Sequence, residues 1–240
     1  MTLISRMMAA ALLILLLAAC DKTPVPPMVF GASTWPGYEP VYLAQEQGYL
    51  ATVNLRLAEY ASVAEVKKAL RDHALQAAAI PLDEALQLRR DIPDLKIVLL
   101  LDESGSADAS PAQPGNSGAP GKVLNVLVVR DNDLGKYHSE LMELVQGWQR
   151  ALEFIRAQPD KAMQSMAAHE KVTPDQFSKA IQGIELLGMQ RNRDLMLGDP
   201  PAVGASVDAA QRFLLERGLI NMGADASTLL DTSLLPKDKP

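Results

Sequence analysis

From Glu103 to Gly121 the chain runs ESGSADASPAQPGNSGAPG, nineteen residues without one large apolar side chain. Such a segment cannot contribute to a packed core, and structureless stretches this long are uncommon inside compact domains. It reads either as a flexible loop or as a place where something has been removed. It also separates two different kinds of sequence, and the fold has to be assembled across it.

Before the break, strands and helices alternate. Met28–Thr34 (MVFGAST) is short and apolar and ends at Trp35-Pro36-Gly37-Tyr38, which predicts a strand followed by a turn. A helix is expected from Pro40 to Leu50, ending near Gly48. Val53–Glu59 alternates apolar and polar residues, the period of a half-buried strand. Ser62-Val63-Ala64-Glu65 is a capping box, opening a helix that buries Val63, Val66 and Leu70. Leu75–Ile80 and Lys96–Leu101 are two further strands, separated by a helix from Pro81 to Arg90. This alternation predicts βαβ units and a mainly parallel sheet.

After the break, Lys122–Val129 (KVLNVLVV) reads as one more strand and everything beyond it as helix. The helix from Ser139 to Ala157 carries Leu141, Leu144, Val145, Trp148, Leu152 and Ile155 on one stripe. Pro159 opens a second helix, and Thr173-Pro174-Asp175-Gln176 caps a third with proline at its first position. A fourth runs from about Ser206 to Arg217, with Gly218 as its C-cap.

Several function classes are disfavoured by what the chain lacks. The net charge is −6 and Lys and Arg are not clustered, which argues against a nucleic-acid partner. No G-x-S-x-G, H-E-x-x-H, G-x-G-x-x-G or P-loop motif is present. His73, His138 and His169 lie far apart in unrelated contexts and read as surface residues, not as a shared metal site. The expectation is a protein that acts by binding, without catalysis, cofactor or metal.

The N-terminus says where it works. Arg6 precedes the apolar run Met7–Leu17, which is too short to span a bilayer and fits a secretory signal. Cys20 is the only cysteine, and an odd cysteine in a secreted chain needs an explanation. Leu17-Ala18-Ala19-Cys20 resembles the lipobox of bacterial lipoproteins, which implies cleavage before Cys20 and acylation of its sulfur. The other reading is a plain signal cut after Ala19. Asp21 after the lipidated cysteine resembles an inner-membrane retention signal; this implies the periplasmic face of that membrane, with the outer membrane left open. Asp21–Pro27 (DKTPVPP) is a semi-stiff tether, and no later apolar run is long enough to cross a bilayer.

Trp35-Pro36-Gly37-Tyr38-Glu39-Pro40, followed by Tyr42-Leu43-Ala44 and by Glu46, Gly48, Tyr49 and Leu50, carries a family likeness. It continues through Ala64-Glu65-Val66, Ala69-Leu70, Ala77–Leu86, Ile97–Asp102 and Ser104–Asp108. This ordered series resembles the nitrate/sulfonate/taurine and thiamine-precursor substrate-binding proteins of ABC importers. Weaker likeness resumes at Val123–Asp133 and covers the helices carrying Trp148 and Pro159. Such relatives have two α/β lobes that clamp a ligand, and here the linker stands where the second lobe would be. The resemblance implies a single lobe of the type II periplasmic-binding-protein fold. Its five-stranded, mainly parallel sheet has order 2-1-3-n-4 with strand n antiparallel, helices on both faces and a helical C-terminal half. The expected organisation is a signal peptide (1–19), lipidated cysteine and tether (20–27), first part of the lobe (28–102), linker (103–122), return strand and helices (123–235) and tail (236–240).

In open α/β sheets ligands sit outside the carboxyl ends of the strands. Three segments converge there: Trp35–Glu39, Asp83-Glu84 and Asp102-Glu103-Ser104. Trp35 and Tyr38 offer faces that stack on a ring or a cation, or else pack on the first helix. Asp83 either binds ligand or caps a helix, and Asp102 either binds or holds a turn. Glu39 and Ser104 complete the candidate set. The rim has Glu39, Asp83, Glu84, Asp102 and Glu103 and no Arg or Lys, which favours a neutral or cationic small solute. An ABC permease or a membrane sensor is the expected protein partner. Two readings stand: a solute-binding lobe, or an interaction module presenting the retained lobe to a membrane protein.

Overall fold

The structure, a computed structural model, describes residues 26–105 and 122–236. The signal peptide, Cys20, most of the tether, residues 106–121 of the linker and residues 237–240 of the tail lie outside the described residues.

The strands are β1 (Met28–Ser33), β2 (Leu55–Tyr60), β3 (Ala77–Pro81), β4 (Leu95–Ser104), β5 (Val123–Arg130) and β6 (Ile184–Leu186). They form one sheet of order β2-β1-β3-β5-β4-β6. Ladders β1–β2 and β1–β3 are parallel, while β5 runs antiparallel to both β3 and β4. The expected order 2-1-3-n-4 is therefore present, with β5 as the reversed strand, and β1 to β4 all point the same way. The expected single-lobe sheet is present, with one strand more than expected.

Two expectations need correction here. The region after β5 is not all helix, because Ile184–Leu186 pairs antiparallel with Asp102–Ser104 at the far edge of β4. β4 also runs on past Leu101: Asp102, Glu103 and Ser104 are strand, held between β5 and β6. The linker thus starts later than residue 103, and Asp102 does not hold a turn. A polar tail on an apolar run looks like a loop in sequence, yet both neighbours supply ladder bonds.

The helices are α1 (Glu39–Glu46), α2 (Val63–Arg71), α3 (Leu82–Leu88), α4 (Asp131–Lys136), α5 (His138–Ala157), α6 (Pro159–His169), α7 (Pro174–Ile181), α8 (Met189–Met196), α9 (Gly204–Glu216) and α10 (Ala226–Leu229). Ser62 accepts from the Glu65 amide at 3.3 Å, while the Glu65 carboxylate reaches back to the Ala61 amide at 3.1 Å, one residue beyond a strict box. Such a cap contributes about 1 kcal/mol. Val63, Val66 and Leu70 are buried as expected. At α7 both arms of the capping box between Thr173 and Gln176 are present. α9 ends at Gly218, whose φ of 67° is open to glycine at no steric cost. On α5 the stripe from Leu141 to Leu152 faces the core, and the Trp148 indole donates to the Leu187 carbonyl at 2.9 Å.

The outer edge of β4 is closed by a patchwork. β6 covers residues 102–104, and the Leu187 amide donates to the Leu101 carbonyl at 2.8 Å. The Asn192 side chain then acts as a one-residue strand. Its Oδ1 accepts from the Leu100 amide at 2.7 Å and its Nδ2 donates to the Leu100 carbonyl at 2.9 Å. Below it the Asp231 amide donates to the Ile97 carbonyl at 2.9 Å. At the opposite edge β2 pairs only with β1, and exposed Arg56 and Glu59 put charge on it, which discourages further strand pairing. No described helix is long and apolar enough to cross a membrane.

Candidate functional site

β1 ends at Ser33, and Trp35 in extended conformation leads into a 3-10 turn, Pro36–Tyr38, with proline at its first position. This turn delivers two aromatic side chains over the carboxyl ends of β4 and β3. Both are enclosed: Trp35 is 5% exposed and Tyr38 1%. The Trp35 indole donates to Asp102 Oδ1 at 3.2 Å. The Tyr38 hydroxyl donates to Asn125 Oδ1 at 2.7 Å, and Asn125 Nδ2 donates to the same Asp102 oxygen at 2.8 Å. Asp102 and Asn125 are directly paired across the β4–β5 ladder.

Asp102 has no exposed surface, and burial pushes its carboxyl up to about 7 despite the bonds from Asn125 and Trp35, which pull it down. Among the described residues its second oxygen, Oδ2, has no hydrogen-bond partner, and neither has the hydroxyl of buried Ser104 two residues on. Gly37 is required by this arrangement, because a Cβ there would lie 2.5 Å from Asp102 Oδ2 and 2.6 Å from the Trp35 indole nitrogen. Asp83, buried in the first turn of α3, adds its charge to that of Asp102; burial first, then these two carboxylates, raises the Tyr38 phenol well above its ordinary value. Trp35, Tyr38, Asp102 and Asn125 form one polar nest, with Asp83 close by and Ser104 two residues along β4.

Glu39 stands elsewhere. It faces the C-terminal end of α6, with His169 Nδ1 at 2.9 and 3.1 Å from its two carboxylate oxygens. Nε2 of the same ring lies 3.5 Å from Glu59, and Tyr42 stacks on the imidazole with centroids 4.3 Å apart. Glu39 is buried, and that burial, reinforced by Glu170 and Glu59, pushes its carboxyl up to about 9. This is a second strand-end cluster, beside β1 and β2, and not part of the Asp102 nest. His73 and His138 are surface residues, whereas His169 sits at the surface but engages a buried acid. The rim is also less acidic than the strand-end segments imply. Glu84 is ion-paired with Lys67, and Glu103 with Lys122 at 3.1 Å, so two lysines from outside those segments reach it. Among the described residues no group of three or more His, Cys, Asp or Glu is placed to hold a metal.

Asn125 and His169 were missed in the sequence. Asn125 has a signal that could have found it, a lone amide inside the buried apolar run KVLNVLVV. His169 has none, since its partner Glu39 is 130 residues away.

Solved structures share this architecture. The aliphatic sulphonate binding protein of Escherichia coli superposes with a TM-score of 0.63 at 9% identity, covering 90% of this chain and 96% of that one. The ligand-binding component of an ABC-type import system from Staphylococcus aureus, with zinc bound, gives 0.62 at 11% identity over 88% and 98% of the two chains. A Candida albicans gene product described as having the generic periplasmic binding protein fold gives 0.61 at 11%, over 90% and 99%. The fold is that of the periplasmic binding proteins. A desulfurization enzyme also matches, with a TM-score of 0.56 at 12% identity, so this binding-protein fold carries chemistry in at least one case. No family model matches the sequence, and no curated protein matches it significantly.

Proposed function

We propose that the protein is a periplasmic solute-binding lipoprotein, anchored through Cys20 at the inner membrane and retaining one lobe of a two-lobe binding protein. Its solute is small and neutral or cationic, and is held at the carboxyl ends of the strands by binding alone. The observation that carries this reading is Asp102 Oδ2, buried and unpaired among the described residues in the nest of Trp35, Tyr38 and Asn125, with the buried Ser104 hydroxyl two residues along β4. A buried acceptor without a partner is destabilising, and a solute N–H or O–H that pairs with it relieves that penalty. Reaching it requires the Trp35–Tyr38 turn to shift, since Gly37 in that turn packs against it. With no second lobe to close, affinity for a small solute should be weak, roughly high-micromolar to millimolar.

Calorimetry of the purified protein against amines, amino acids and pyrimidines tests the assignment. One of these should bind in that range, and Asp102→Asn should weaken it while leaving the fold intact. Nanomolar binding by a monomer, or binding indifferent to Asp102, would remove the open one-lobe picture. Replacing Cys20 with Ala should abolish palmitate incorporation; labelling that persists in that variant would end the lipoprotein reading.

A second reading is favoured by the burial of both aromatic rings, which leaves neither with a free stacking face. In it the lobe is presented to a membrane permease or sensor protein. Absence of any solute signal, together with capture of such a partner that is lost in Trp35→Ala, would select it.

A further inference from the structure

The end of the sheet opposite the nest carries a surface that the proposed function does not use. Among the described residues five large apolar side chains are exposed, and three of them, Leu215, Leu219 and Met222, crowd the C-terminal end of α9 and the turn after it, at 42%, 39% and 83% exposure. The turn residues Ile220 to Ala224, with Gln211, form one wall of a cavity of about 360 Å³, and Leu86, Arg89, Arg90 and Pro93 form the other. α3 runs back from the end of β3 to the start of β4 at Leu95, so Arg89, Arg90 and Pro93 lie at the amino ends of the parallel strands. The turn that shares their cavity lies there too.

The same end is where the chain enters the fold. β1 begins at Met28, three sheet positions from β4 in the order β1-β3-β5-β4, which is about 14 Å across the sheet. Only seven residues, Asp21–Pro27, separate Met28 from Cys20, and fully extended they reach about 23 Å. A lipid on Cys20 therefore holds the amino-end surface close to the bilayer, within reach of the apolar turn.

Charge around the patch suits an anionic interface. Arg90 is well exposed, whereas Arg89 is half-buried and its guanidinium donates to the Pro93 carbonyl at 2.9 Å. Arg217 lies over the Phe213 ring at 4.6 Å, one residue before the turn. Of the neighbouring carboxylates, Asp91 is held by Arg71 at 3.0 Å and lies 3.5 Å from Arg90, Asp94 lies near Arg89, and Glu216 is exposed beside Arg217. Exposed Met and Leu rimmed by arginine is the composition of surfaces that lie in a lipid interface.

We propose that this amino-end surface docks on the anionic lipid bilayer, with Met222 and Leu219 entering the interface and Arg90 and Arg217 meeting lipid phosphates. The inference rests on the Cys20 anchor of the proposed function. It deepens that reading, because a docked amino end turns the carboxyl ends of the strands, with the Asp102 nest, away from the membrane and toward the periplasm.

The test uses the full lipidated chain reconstituted in phosphatidylethanolamine–phosphatidylglycerol vesicles containing brominated lipid. An environment-sensitive fluorophore is attached at Met222→Cys and, in a second protein, at Lys122→Cys, an exposed site at the opposite end of the sheet. At least a twofold bromolipid quenching at position 222, none at 122, and weaker quenching at 222 in purely zwitterionic vesicles are expected. Leu219→Ser with Arg90→Glu should abolish the quenching without lowering the melting temperature, since both side chains are exposed. Equal quenching at both positions, or none at 222 in a protein that still floats with its vesicles, overturns the docking while leaving the anchor intact. Self-quenching between labels at 222 would overturn it in favour of a second copy of the chain. Failure of Cys20 to take up palmitate is a separate result, which removes the anchor itself.

Discussion

Asn192→Ala should lower the unfolding free energy by about 3–5 kcal/mol, a large share of the roughly 5–15 kcal/mol typical of a domain. The side chain is fully buried; its Oδ1 accepts from the Leu100 amide, and the two N–H groups of its Nδ2 are shared among the carbonyls of Leu100, Leu187 and Gly188 at 2.9, 3.2 and 3.1 Å. Truncation removes the partner of the Leu100 amide and carbonyl, and Leu100 has no exposed surface. Asn192→Asp should be nearly as damaging, because a second oxygen would then face three carbonyls. Urea unfolding of both variants checks this, and a loss below about 1 kcal/mol would mean that the edge closes without the asparagine.

Stability should also fall as pH rises from 5 to 9, by about 3 kcal/mol or more. Two buried carboxyls have raised values in the folded protein, Asp102 at about 7 and Glu39 at about 9, against 3.8 and 4.5 when solvated. For such groups the folded state holds a proton that the unfolded state releases. Their contribution is thus complete below about pH 4 and is lost as pH climbs through the folded values, at up to ~1.4 kcal/mol per pH unit for each group. Asp102 acts between about pH 4 and 7, and Glu39 from about 4.5 to 9. Glu170, half-buried and also raised, acts in the same direction. The lowered carboxyls of Asp72 and Asp225 are fully exposed and titrate below this window. Melting temperatures across the range should show the decline in the native protein and a smaller one in Asp102→Asn and Glu39→Gln. Asparagine keeps the acceptor used by Trp35 and Asn125. A rising or flat native profile would show that neither carboxyl is buried as described.

Much of the fold could be read from residues because its central strands are continuous apolar runs. Ala77–Pro81, Ile97–Leu101 and Val126–Val129 are buried on both faces and cannot be mistaken for surface. β6 could not be read: three residues, Ile184-Glu185-Leu186, carry no usable period, and they become a strand only because β4 offers an open edge. α8 has few apolar residues in Met189–Met196 and is placed by Asn192, whose role depends on a strand 92 residues earlier. The strand-end nest was legible as a location, since Trp35, Tyr38 and Asp102 follow from topology. Its closure was not, because side-chain exposure depends on how the Pro36–Tyr38 turn and α7 pack, and α7 lies far along the chain. Glu39 was assigned to the same site by its place next to Tyr38, but a helical first turn sends adjacent side chains in different directions.

The position of β5 sets an order of events during synthesis. β3 and β4 are consecutive strands, yet they do not pair with each other; each pairs with β5, which emerges later. A nascent chain that has reached only Ser104 holds two hydrophobic strands whose facing edges have no partner. Until Arg130 is available these edges invite pairing with each other in the wrong register or with neighbouring chains. The lobe cannot mature from its N-terminus inward, as a simple run of βαβ units can. It closes by insertion of its middle strand, so the hazard of misassembly is concentrated in the interval between the two halves.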